Sequence, residues 1–195
     1  MYATKQKLNM SFTVGSLLTR ESMQFIELFN KHQDWIEAKR EAVKTNILQT
    51  RKISSCQRIV TELYSRLKLL NPKELNLLIN GSRIDQSHIL WLALCRKYRF
   101  IYNFATNVIR NKLIKFDFQL KDSDFNLYFD SQELIYPELE KISEKQKNRL
   151  RQILFRSLKE ANLVDKNKLI KQFIASRELI EAIGINDLVI YPLIN

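Results

Sequence analysis

Glycine stands only at positions 15, 81 and 184, and proline only at 72, 137 and 192, in a chain of 195 residues. A many-stranded sheet needs a tight reversal every ten residues or so, and those reversals draw on the left-handed freedom of glycine and the fixed φ of proline. So few of either leaves long uninterrupted stretches rich in Leu, Ile, Lys, Asn and Glu, and the expected fold class is mainly α. With 45% hydrophobic and 27% charged residues the chain can bury a real core and is not of the disordered class.

Helix signals divide the chain into three parts. Residues 15–30 set Leu17, Leu18, Phe25, Ile26 and Phe29 broadly on one side of a helix, and Asp34 is the expected N-cap of a second helix running to Val43. Ser54 and Gln57 write an S-x-x-Q capping box that should open a third helix to Leu70. Its buried stripe is Ile59, Val60, Leu63, Leu67 and Leu70, with Gln57, Arg58, Thr61, Ser65 and Lys68 left outside. Asn71-Pro72 with Glu74 begins a fourth helix that Gly81 closes. Residues 12–81 thus read as an N-terminal helix-turn-helix-like module behind a flexible leader over 1–11.

Residues 82–142 read as a central helical hub. Trp91, Tyr98, Phe100, Tyr102 and Phe104 lie at helical spacing amid Leu and Ile, which fits core better than a platform for stacking bases. A shorter acidic helix is expected around Asp122 to Phe129. Residues 143–195 have a different pattern, opening with a second S-x-x-Q box at Ser143 and Gln146. A helix to Ala161 follows, then a left-handed cap at Asn162 and an expected strand over Lys168 to Ile174. A short helix capped by Ser176 and closed by Gly184 leads to a second expected strand, Asp187 to Tyr191. That order resembles a winged-helix variant, its two strands pairing as a small C-terminal β-ribbon with Pro192 tolerated at the edge.

Charge follows the same partition. Residues 1–80 carry 13 Lys+Arg against 7 Asp+Glu, residues 81–140 carry 8 against 8, and residues 141–195 carry 11 against 6. A pI near 9.7 with the excess confined to the two ends is the footprint expected of a protein that displaces counterions from phosphates. The candidate contacts at the N-terminal end are Arg51, Lys52 and Arg58, with Ser54, Gln57 and Thr61 on the same helix. At the C-terminal end they are Lys145, Lys147, Arg149 and Arg156, followed by Lys168 and Lys171 near the expected wing.

Other chemistries find no residues to carry them. With glycine at three scattered positions, neither a Walker-type phosphate loop nor a dinucleotide fingerprint can be written. His32 and His88 lie far apart without ligand partners, Cys56 and Cys95 sit in apolar helical patterns as reduced core residues, and Asp117, Asp122, Asp124 and Asp130 suit a solvated face better than a magnesium site. No catalytic residue, cofactor, metal or small-molecule substrate is expected. The longest apolar run, Ile89 to Cys95, is far short of the roughly 20 residues a membrane helix needs, and Met1 to Met10 has no apolar signal core, so a cytoplasmic protein without a membrane partner is expected.

Four stretches carry a resemblance: GSLLTRES (Gly15 to Ser22), Asn46-Ile-Leu through Arg51 into CQRIVTELYSRLKLL, FATNVIRNKL (Phe104 to Leu113) and RQILFRSLKEANLVD (Arg151 to Asp165). Together they resemble the BrxA family, the small component of BREX phage-exclusion systems. The resemblance implies a bacterial defence protein encoded beside a methyltransferase, large ATPases and a phosphatase-like partner, with members described as double-stranded DNA binders and others related to an RNA-binding antitermination fold. Asn111 departs from the acidic residue expected there. The leading expectation is a non-enzymatic double-stranded DNA-binding component of a BREX system. The rivals are an assembly adaptor contacting other BREX proteins and an RNA binder of antitermination type.

Overall fold

A computed structural model describes residues 8–192. In chain order its helices are α1 (Thr19–His32), α2 (Trp35–Lys44), α3 (Ile53–Leu67), α4 (Pro72–Asn80), α5 (Arg83–Lys97), α6 (Arg99–Phe104), α7 (Arg110–Ile114), α8 (Asp122–Glu133), α9 (Glu144–Glu160) and α10 (Arg177–Ala182). A π turn, Ala105–Ile109, joins α6 to α7, and 3-10 turns cover Phe12–Val14, Pro137–Lys141 and Leu188–Ile190. Positions 1–7 of the expected leader lie outside the described residues. Leu8, just beyond them, is buried, and its amide donates to Glu138.

The helix starts follow from capping chemistry. Asp34 Oδ1 accepts from the amides of Ile36 at 2.6 Å and Glu37 at 2.9 Å, satisfying two of the donors a helix start leaves open. Asn71 with Glu74 and Ser143 with Gln146 form reciprocal capping boxes, and Pro72 occupies the first turn of α4 where its missing N–H is no loss. Ser176 caps α10, and Asn162 ends α9 in the left-handed region at φ 58°.

α5 is the central element: every residue from Ser87 to Cys95 is buried, under α3, α4 and α9. Of the aromatic series expected in the core, Trp91, Tyr98, Phe100 and Phe104 are fully buried and Tyr102 is half-buried, and Phe125 and Phe129 are fully buried with them. Phe100 stands at the centre of this cluster, stacked on Phe12 and edge-on to Tyr128 at 4.9 Å between centroids. Such geometry adds to the roughly 1.5–3 kcal/mol that burial of one large side chain contributes. Cys56 and Cys95 are buried and unbridged.

Three expectations are corrected. The Ser54/Gln57 box does not form: α3 begins two residues earlier, at Ile53, with Lys52 in the N-cap position and no side-chain cap. Upstream, Asn46 Oδ1 accepts from the Thr50 amide, and the single proton of the Thr50 hydroxyl lies within reach of both Asn46 Oδ1 and the Lys52 carbonyl, which ties the turn before α3 to the helix start. Leu17 and Leu18 precede α1 rather than riding on it, since Gly15 is extended and Leu18 is left-handed at φ 57°. The C-terminal β-ribbon is also absent from the described residues. Ile170 N donates to Phe118 O and Leu120 N to Lys168 O, so the Lys168 region satisfies its backbone against the loop before α8, through an isolated bridge of Leu169 to Gln119, and against the stretch after α9, through one of Ile170 to Val164. Leu188–Ile190 instead coils into a 3-10 turn whose last carbonyl accepts from Trp91 Nε1.

His88 is buried in α5 against the edges of Phe173 and Tyr191, and its Nδ1 has no hydrogen-bond partner among the described residues. Burial pushes its pKa down to about 4, against opposing contributions from Asp85 and the Ala161 backbone. The unfolded chain takes up a proton near pH 6.5 while the folded one does not. The stability this neutral ring supplies is therefore complete above pH 6.5 and lost as pH falls towards 4, by about 2 kcal/mol at pH 5. Urea unfolding at pH 7 and pH 5 should show that loss in the parent and not in His88→Gln. Equal losses in both would assign the pH dependence elsewhere.

Candidate nucleic-acid interface

α3 and α9 both pack on the Phe12–Val14 turn. Along α3, Ser54, Arg58, Thr61, Ser65 and Lys68 recur at alternating steps of four and three, which places them on one stripe, with Gln57 beside it. All of these are exposed except the half-buried Ser65. Along α9 the same steps give Lys145, Arg149, Gln152, Arg156 and Lys159, all exposed. The opposite faces, Cys56, Val60, Leu63 and Leu67 in α3 and Leu150, Leu154 and Leu158 in α9, are buried, so each stripe is held outward by the core.

The backbone around this turn is bonded by residues of both helices. Arg149 Nη2 of α9 donates to the Thr13 carbonyl at 3.2 Å, and Glu160 Oε2 of α9 accepts from Leu17 N at 2.9 Å. From α3, Arg66 donates Nη2 to the Gly15 carbonyl at 3.0 Å and Nη1 to that of Ser16. Gly15 belongs to this close fit, because a Cβ there would sit 2.4 Å from the Leu18 side chain.

Beside the turn, Val14 and the α3 stripe enclose a shallow groove of about 440 Å³. Four of the sequence-predicted residues, Ser54, Gln57, Arg58 and Thr61, line it together, and Lys97 of α5 reaches its floor. Beneath Lys97 lies a buried ionic network. Glu62 Oε1 accepts from Arg66 Nε at 2.7 Å and Tyr98 OH at 2.6 Å, and Oε2 accepts from Lys97 Nζ at 2.6 Å. Burial pushes the Glu62 carboxyl up, but Arg66, Lys97 and Tyr98 together more than offset it and hold the group ionised, below the usual range.

The remaining candidates separate into free and engaged cations. Arg51, Lys52 and Lys145 are exposed and form no ion pair among the described residues. Arg156 pairs with Glu160 at 2.8 Å but is 73% exposed, and a solvated pair of this kind is worth so little that a phosphate can displace it. Lys147 is only 12% exposed, with its ammonium on Asp130 and over the Phe129 ring. Lys168 bonds Asp122 at 2.6 Å and lies over Phe155, and Lys171 donates to Asn162. These last three bind the α9 end to its neighbours and stand apart from the α3 groove.

Lys97 carries no signal in the sequence because it ends a helix of the electrically neutral segment, and nothing in its spacing announces a contact with Glu62, 35 residues earlier. The acidic candidates are spent internally: Lys112 holds Asp117 at 2.6 Å and Asp124 at 3.1 Å, while Lys168 and Lys147 hold Asp122 and Asp130. Among the described residues no group of three acidic, histidine or cysteine side chains could hold a metal, and no helix is long and apolar enough to cross a membrane. A second groove, of about 480 Å³, lies between the π turn with α7 and α8, lined by Asn107, Asn111, Lys115, Leu127 and Ser131 among others.

Comparison with known proteins bears on this architecture. A solved structure of an uncharacterized protein from Magnetospirillum magneticum matches with a TM-score of 0.78 at 19% identity, over 90% of this chain and 91% of that one, which establishes a shared fold. Two curated relatives are each named BREX protein BrxA. The one from Escherichia coli O9:H4 (strain HS) is 26% identical over 151 residues, 77% of this chain and 71% of its own length. The one from Bacillus cereus (strain H3081.97) is 24% identical over 152 residues, 78% of this chain and 76% of its own. The BrxA family model matches residues 6–187, nearly end to end, and on that match the chain belongs to the BrxA family.

Proposed function

We propose that this protein is a non-enzymatic, cytoplasmic double-stranded DNA-binding component of a BREX phage-defence system. In this reading the modules over 12–81 and 143–195 grip phosphates on either side of the hub over 82–142. The observation that carries it is that α3 and α9 both pack on the Phe12–Val14 turn, with Arg58 lining the groove beside Val14 and Arg149 bonded to the Thr13 carbonyl. Cations drawn from opposite ends of the sequence thereby face one region, as a polyanion requires.

All the candidate cations but Lys147 are exposed, and six of them, Arg51, Lys52, Arg58, Lys145, Arg149 and Arg156, lie on α3 or α9 or just ahead of α3. If each meets one phosphate, log K should fall with log salt at a slope of about −5 for B-form DNA. Fluorescence anisotropy with a labelled duplex between about 50 and 200 mM salt measures it. Absence of binding at the lower salt, or affinity indifferent to salt, sinks the reading, and competition with structured RNA distinguishes an A-form ligand.

A second reading, docking onto another BREX protein, is favoured by one feature. Ile114, Phe116, Leu127 and Leu134 of the hub are between 65% and 88% exposed, and Phe116 is held left-handed at φ 55°. Co-purification that survives nuclease treatment, together with failure to bind free duplex, would select it.

A further inference from the structure

The groove beside Val14 deepens the duplex-binding reading, and the role assigned to it rests on that reading. We propose that this groove seats one phosphodiester of the bound strand between the Arg58 guanidinium at its rim and the Lys97 ammonium at its floor, with the Ser54 and Thr61 hydroxyls as further donors.

Lys97 is 14% exposed and lines the groove. Two of its three N–H bonds are committed, to Glu62 Oε2 and Ser65 Oγ, which leaves one donor on a head group already fixed in place. Glu62 does not need Lys97 for neutrality, because Arg66 supplies a buried cation against its other oxygen. The groove therefore retains net positive charge: Arg58, Lys97 and Arg66 against a single carboxylate. Glu62 Oε1 accepts two of these bonds and Oε2 one, so three of the carboxylate's roughly four acceptor positions are already filled by the protein's own donors. An anionic group that only accepts hydrogen bonds fits this excess of cations over carboxylate. The low-dielectric wall of Val14 and the buried network strengthen the attraction relative to a cation free in water.

The double variant Glu62→Gln/Lys97→Gln tests the seat because it removes a cation and an anion together, leaving the formal charge of the protein unchanged. The seat predicts a salt slope shallower by about 0.9 and roughly tenfold weaker duplex binding near 0.1 M salt. A general field effect predicts no change, and wild-type slope and affinity in this variant overturn the proposal. Arg58→Gln, exposed and outside the buried network, should lose a similar slope. Thr61→Val should weaken binding about fivefold with the slope unchanged. Should the double variant fail to fold, these two decide, and wild-type values in both overturn the seat.

Inorganic phosphate, titrated into the isotope-labelled wild-type chain and followed by NMR, gives an arm independent of duplex. Saturable shifts centred on Arg58, Thr61 and Lys97 support the seat; shifts spread evenly over exposed lysines overturn it. Failure of the wild type to bind duplex at low salt would instead remove the underlying reading, while the phosphate titration still decides whether the groove is an anion site.

Discussion

Replacing Arg51, Lys52 and Arg58 together by glutamate is expected to weaken duplex binding by at least about 100-fold near 0.1 M salt and to flatten the salt slope from about −5 to about −2.5. Each side chain gives up one phosphate contact and adds a like-charge repulsion, and the loss should be uniform across duplex sequences, because phosphates carry no sequence information. The fold should persist: all three residues are exposed, and none forms an ion pair among the described residues, so substitution there shifts stability by only about 0.5 kcal/mol. Anisotropy and a thermal melt on the same preparation measure both quantities. Unchanged affinity would show that α3 is not part of the grip, while a collapsed melting curve would locate the effect in folding.

Glu74→Ala should be the most damaging single change to stability, at about 3–5 kcal/mol. Glu74 is fully buried and accepts from Arg96 Nη1 and Nη2 at 2.7 Å each, while Arg96 also bonds Asp187 at 2.7 Å. Its carboxylate additionally accepts from the Asn71 amide, completing the capping box of α4. One truncation therefore strips a half-buried guanidinium of its main partner, opens a helix start and weakens the tie between α4, α5 and the Leu188–Ile190 turn. Urea titration gives the figure directly. Glu74→Gln keeps the hydrogen-bonding shape and should lose markedly less, whereas a loss below about 1 kcal/mol for the alanine variant would mean that the network relaxes freely.

How much of this molecule is legible in its sequence depends on the range of the forces involved. Asp34, Asn71, Ser143 and Ser176 are readable as caps because a cap is settled within four residues. Ser54 with Gln57 shows the same local pattern and misleads, since the Asn46–Thr50 contacts tie the preceding turn to a helix start at Ile53. The run from Lys168 to Ile174 is apolar enough for a strand, but pattern does not name a partner: the amides of Ile170 and Lys171 bond to Phe118 O and Leu163 O, and that of Phe173 alone turns to the C-terminal stretch, at Pro192 O. The outward stripes of α3 and α9 follow from helical periodicity. The packing of both helices on one turn does not, because it rests on Arg66, Glu160 and Lys97, single charges acting across long separations that leave no period to detect.

Arg66 of α3 and Glu160 of α9 bond the same short stretch of backbone, Gly15 to Leu17, so the two helices are tied to one another through it. Under the proposed duplex-binding function, a helix pair coupled in this way would leave the DNA to do the adapting, and discrimination among sequences would follow their stiffness rather than the identity of their exposed bases.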